Sequence, residues 1–154
     1  MQTRISLDPN KYAGVIRAMR GLGAAVRESG LGSSLLHLVR LRASQINGCG
    51  YCIDMHSKDA RAEGETEQRL YLLQAWREAP LYTARERAAL AWTEAVTNIS
   101  KGPVPDAVYD ELRAAFTEEE VVALTLAIVE INGWNRFAIS LNRVPGTYRV
   151  GEHG

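Results

Sequence analysis

An excess of one charge is missing from this chain: eighteen Lys and Arg balance eighteen Asp and Glu over 154 residues. A nucleic-acid-binding surface normally shows a basic excess or a basic face, and neither stands out. Long apolar runs are missing too, since none approaches the roughly 18 residues that a membrane helix needs. The opening stretch, MQTRISLDPNKY, has no apolar core and no small-residue cleavage site. No secretory leader is therefore expected, and the expected compartment is the reducing cytoplasm. Strand signals are scarce, with few β-branched runs and no Asn-Gly turn between alternating segments. Low-complexity tracts, linkers and fixed-period repeats are absent. Cysteine is nearly absent as well: there are two, and in a reducing compartment such a pair points to catalysis or metal binding rather than a folding staple.

What is present is the apolar content of an ordinary globular protein, 46% of residues. That is enough for one all-α domain spanning residues 1–154 with a real core. Asp8-Pro9 reads as a helix cap and first-turn proline, opening a segment that runs to about Glu28 and closes at Gly30 and Gly32. Ser33 or Ser34 is expected to cap LLHLVRLRASQI, which Asn47-Gly48 breaks. A third helix is expected from about Cys49 to Glu63, with Gly64 as a left-handed cap. EQRLYLLQAWREA reads as a fourth, up to Pro80. Thr83 with Glu86 and Thr117 with Glu120 have capping-box spacing at the starts of two more helices. Between those two, a short helix is expected from about Pro105 to Ala115. The helix after Thr117 is apolar on nearly every side, as expected of a central helix or one buried against other subunits.

Both cysteines fall in INGCGYCIDMH, residues 46–56. On a helix, residues three and four apart share a face, so Cys49 lies beside Cys52 and Cys52 beside His56. Asn47-Gly48 places Cys49 in the first turn of its helix. There, unpaired N–H groups and the helix dipole favour an anion and lower a thiol pKa. An adjacent imidazole can take the proton. The spacing therefore describes a redox dithiol. Inert burial is the plain alternative, because free cysteines often serve as small hydrophobes. Zinc is the sharper one: Cys49, Cys52 and His56 offer three ligands and His37 a fourth. Three of these ligands lie close together on one helix, however, which makes tetrahedral geometry awkward.

The surrounding residues go further. LVRLRASQINGCGYCIDMH, followed by DARAEGETEQRLYLLQAWREA and ERAALAWTEAVT, resembles the alkylhydroperoxidase D (AhpD-like) family of the carboxymuconolactone decarboxylase superfamily. The likeness runs from about Leu35 to Thr97, and EINGWNR near the end also fits. It implies an all-α protein that assembles as trimers or hexamers. It also implies reduction of organic hydroperoxides by a vicinal dithiol, with no bound cofactor and with an external thiol or lipoyl reductant. By the same resemblance Cys52 matches the peroxide-attacking cysteine, Cys49 the resolving cysteine and His56 the proton-relaying histidine. Where the family usually carries a glutamate, twelve residues before the first cysteine, this chain carries His37. Tyr51 stands between the cysteines where the family sometimes has histidine. The decarboxylase branch generally lacks the cysteine pair, so decarboxylation is not expected. A non-enzymatic redox switch or assembly module and a Cys2His2 zinc protein remain as alternatives.

Other polar residues receive structural expectations. Asp54 points away from Cys52, as a surface or capping carboxylate. Ser44, Gln45 and Asn47 are expected to cap the helix end and shape the turn. Trp76, Trp92 and Trp134 read as core or interface aromatics. Asn132, Asn135 and Arg136 interrupt the most apolar helix and need partners across a packed boundary. His153 sits in a Gly-rich tail with no expected order or role.

Overall fold

The computed structural model describes residues 2–152, so His153 lies outside the described residues. Among the described residues there are seven α-helices and no strand: α1 Ala13–Glu28, α2 Ser33–Asn47, α3 Gly50–Ala62, α4 Glu67–Leu72, α5 Ala84–Thr97, α6 Asp106–Ala115 and α7 Glu118–Ser140. None of them is long and apolar enough to cross a membrane.

α2 lies at the centre, packed against α3, α5 and α7, and α7 in turn carries α1 on its other side. The reason is the apolar pattern. In α7 the residues Val121, Leu124, Ile128, Ile131, Asn135 and Ala138 recur every three or four positions, and all six are buried. Leu36, Val39, Ala89, Leu112 and Phe116 meet the first half of that stripe. Leu38, Leu41, Leu73, Trp76 and Leu90 form a second cluster on the other side of α2. A third, smaller cluster gathers Ala43, Cys49, Tyr51, Cys52, Ile131 and Tyr148 around the thiols. Each large aliphatic side chain so buried contributes about 1.5–3 kcal/mol.

Both capping boxes form as their spacing predicts. The hydroxyls of Thr83 and Thr117 accept from the Glu86 and Glu120 amides, and both glutamates reach back to the cap amide. Other boundaries differ. Asp8 does not open α1; its carboxylate accepts from the Asn10 amide at 2.8 Å in a local turn, and the helix starts at Ala13. The cap of α2 is Gly32, while Ser33 is already helical. α4 stops at Leu72 and continues as a 3₁₀ turn, Leu73–Ala75, short of Pro80. Beyond that turn the Arg87 guanidinium of α5 takes the carbonyls of Trp76, Arg77 and Ala79, bonding the segment before Pro80 to α5. Trp76 is thereby turned inward and donates to Glu94 at 2.8 Å. α7 is also less enclosed than its composition implies, because Val122, Val129 and Ile139 face outward, with Val122 at 65% exposure.

Candidate dithiol site

The site is built at the α2–α3 junction. Gly48 adopts φ +69°, a left-handed conformation that costs glycine little, and reverses the chain within one residue. The Gly48 amide donates to the Gln45 carbonyl at 3.2 Å and the Cys49 amide to the Ser44 carbonyl at 3.0 Å, closing the end of α2. Cys49 is then the N-cap of α3, with extended backbone, one residue outside the first turn where the spacing predicted it. Cys52 follows in the first turn. Both thiols are reduced and buried, at 1% and 2% exposure.

The thiols hydrogen-bond to each other, and this divides their acidity. The Cys52 S–H stabilises the Cys49 anion, helped, against burial, by the amides of Cys52 and Tyr51 and by the Asn135 carboxamide; together they lower Cys49 to about 7. Cys52 moves the other way: donating to Cys49, burial and the charge on Cys49 all raise its pKa. The pair therefore shares one proton near neutral pH.

Cys52, and not Cys49, opens on a cavity of about 1020 Å³. One turn further along α3, His56 lines the same cavity with Nε2 buried and without a hydrogen-bond partner. Burial, then the nearby Arg40 guanidinium, then His37 hold its pKa well below that of an ordinary imidazole. It is neutral at pH 7 and able to accept a proton. His37 reaches the cavity from α2. Its Nδ1 has no partner, and its Nε2 lies 3.1 Å from Glu63 Oε1. Three of the four predicted site residues, Cys52, His56 and His37, thus line one cavity, and Cys49 is hydrogen-bonded behind Cys52. Among the described residues, however, no three His, Cys, Asp or Glu side chains come together as a metal would require.

Several surrounding residues were not singled out by the sequence reading. Arg40 of α2 pairs with Glu130 of α7 at 2.8 Å, both largely buried, on the cavity wall. A glutamate within the apolar run AIVEIN is the sequence signal for that pair. The Arg143 guanidinium lies 3.8 Å from the centre of the Tyr51 ring. The segment after α7 is tied across α3: the Gly146 amide donates to Asp54 at 3.0 Å, Lys58 to the Tyr148 carbonyl at 3.0 Å, and the Tyr148 hydroxyl to Asp59 at 2.7 Å. Asp54 is therefore a surface carboxylate, as expected, but one with a tethering contact.

The expected partners of the α7 asparagines are present. Asn47 donates to Asn135 at 2.8 Å and to Asn132 at 3.0 Å, while Asn135 donates to Ser44 at 3.0 Å. The Asn47 side chain thus reaches across to α7 instead of capping its own helix. Trp76 is buried, whereas Trp92 and Trp134 are partly buried, Trp134 on the cavity wall.

Comparison with known proteins agrees with this arrangement. Residues 13–95 match the model of the carboxymuconolactone decarboxylase family. YdfG of Bacillus subtilis (strain 168), an uncharacterized protein, is 42% identical over 126 residues, covering 82% of this chain and 86% of its own. The structure of ATU0492 from Agrobacterium tumefaciens has a TM-score of 0.90 at 42% identity, covering 96% of this chain and all of its own. That protein is of unknown function and is named as a candidate antioxidant defence protein AhpD. The debrominase Bmp8 shares the fold at a TM-score of 0.80 and 21% identity, over 90% of this chain and 74% of its own. With more than half of its length matching the family model and its helices superposing on AhpD-like structures, this chain belongs to the carboxymuconolactone decarboxylase family, on its AhpD-like side.

Proposed function

We propose that the protein is a thiol-dependent peroxidase that reduces organic hydroperoxides through a Cys49–Cys52 dithiol–disulfide cycle. The observation that carries this reading is the asymmetry of the pair. Cys52 opens on the cavity that is also lined by a neutral His56 with its Nε2 unpartnered, while Cys49 is hydrogen-bonded behind it and does not line the cavity. The candidate antioxidant naming of ATU0492 points the same way.

In the cycle, His56 takes the proton of Cys52. The thiolate attacks the nearer peroxide oxygen, so the S–O bond forms, the O–O bond breaks and the electron pair leaves with the alkoxide. The alkoxide takes the proton back from His56 and departs as the alcohol. Cys49 then attacks the Cys52 sulfur. The S–S bond forms, the S–O bond breaks, and the departing hydroxide leaves as water, with a proton from Cys49 where that thiol is still protonated and from solvent where it is already the anion. An external dithiol, small or lipoyl-borne, returns two electrons and two protons by exchange. No bound cofactor is required. The reading includes cytoplasmic residence and a homotrimer or hexamer, with neither nucleic acid nor membrane as a partner.

One equivalent of tert-butyl hydroperoxide should remove two hydrogens from the chain and leave a Cys49–Cys52 crosslink in its peptides by mass spectrometry. With dihydrolipoamide supplied, turnover should continue. Oxidation without turnover would identify a redox switch instead. Peroxide consumption by Cys52→Ser at the parent rate would remove Cys52 from its role.

A further inference from the structure

We propose that Glu63 is the outer carboxylate of the proton path from Cys52, stabilising the charge on His37 as a glutamate at position 37 would stabilise His56. The inference rests on the dithiol reading above and extends it to a positioning residue that no motif marks.

The placement follows from helix periodicity. Cys52, His56, Asp59 and Glu63 recur at four, seven and eleven residues along α3 and its C-cap, so they share the face that lines the cavity. At the far end of this stripe Glu63 Oε1 sits 3.1 Å from His37 Nε2. Its side chain is 50% exposed and the imidazole 11%, so the pair spans the boundary between cavity and solvent. Further in, His37 Nδ1 and His56 Nε2 are buried without hydrogen-bond partners and border the same space. Buried ring nitrogens with no partner are uncommon unless something transient fills them. Here a proton moving outward from Cys52 would meet His56, then His37, then Glu63.

The other charged groups around this space are engaged or of the wrong sign. Glu130 is paired with Arg40 at 2.8 Å, Asp59 accepts from Tyr148 at 2.7 Å, and Glu152 and Arg143, which also line the cavity, act on Tyr51. Arg20 and Arg27 of α1, like Arg40 itself, disfavour a second positive charge. Glu63 is the carboxylate left in contact with an imidazole. A hydrogen bond from the Ser33 hydroxyl and the contact with His37 both lower its pKa, so it stays ionised through the neutral range. The competing role is a structural one, in which Glu63 merely fastens the end of α3 to the start of α2.

The test compares the parent with Glu63→Gln and Glu63→Asp, over a range of about pH 5 to 10 that spans imidazole and thiol titration. Two rates are read on each: disulfide formation with tert-butyl hydroperoxide and Cys52 alkylation by iodoacetamide. Glu63→Gln should slow both about tenfold near neutrality, less than the roughly 10²–10⁴-fold of a direct general acid–base group because Glu63 acts through His37. Glu63→Asp should recover most of the loss, and the gap should close at alkaline pH, where hydroxide takes the thiol proton directly. Parent-like rates for Glu63→Gln at every pH would overturn the proposal. So would a slowing by one constant factor at all pH values accompanied by a lowered unfolding temperature, which is the signature of a fastening role. If the parent ignores the hydroperoxide, the peroxidase reading fails while the alkylation arm still decides the role of Glu63.

Discussion

At the scale of single residues, the chemistry turns on where one proton sits. The Cys52 S–H is the largest influence lowering Cys49 to about 7, from an ordinary thiol value near 9.0. Thiolate absorbance should therefore rise by one equivalent per chain as the pH passes through about 7, and fall again below it. The second thiol should stay protonated well beyond that, because an anion at Cys52 would face the charge on Cys49. In Cys52→Ala the donor is gone, and the Cys49 titration should move up toward that of a free thiol. An unmoved titration would show that the helix start alone sets the acidity. Cys49, Cys52 and His56 were legible from their three- and four-residue spacing, which a helix converts directly into proximity. Glu63 was not, because its partner is twenty-six positions away on another helix and only packing brings the two together.

At the scale of elements, the α2–α7 seam carries a polar patch in an apolar interface. Asn135 is fully buried, accepts from Asn47 and donates to Ser44. Truncation in Asn135→Ala leaves both partners short of a bond inside the protein, which costs about 1–3 kcal/mol. The urea midpoint should fall accordingly, and the Cys49 titration should rise slightly, because the carboxamide also favours that thiolate. An unchanged midpoint would mean that water replaces the amide. The interruptions of α7 at Asn132, Asn135 and Arg136 could be read in sequence as needing partners. The register of α7 against α2 decided the partners of the two asparagines, whereas Arg136 is exposed and donates to Asn132 one turn back in its own helix. The early end of α4 was illegible for a related reason: the segment that follows it is bonded to Arg87 on α5, a contact that only packing creates.

At the scale of the whole molecule, the outward face of α7 sets an expectation for assembly. Val122 and Val129, two turns apart, are 65% and 51% exposed, together with Ile139 at 48%. Apolar side chains in such a row cost little when a second subunit covers them. A trimer or hexamer should appear by light scattering at micromolar concentration, and Val129→Glu should shift it toward smaller species if this face is the contact. A monomeric parent would contradict the assembly part of the proposal. The same variant should leave the thiols reactive in the monomer, since Val129 is exposed and is not among the residues that line the cavity.

The sequence by itself determined the helices, their capping boxes and the dithiol with its histidine, because each depends on spacing within about one turn and on local backbone chemistry. Family membership was legible for the same reason, since the motif is contiguous. Tertiary structure decided which thiol faces the cavity, that His37 meets Glu63, and that Arg40 pairs with Glu130 on the cavity wall while its charge still bears on His56. Those outcomes depend on the packing of α2, α3 and α7 against one another, and burial, which sets the pKa values, exists only once that packing has formed.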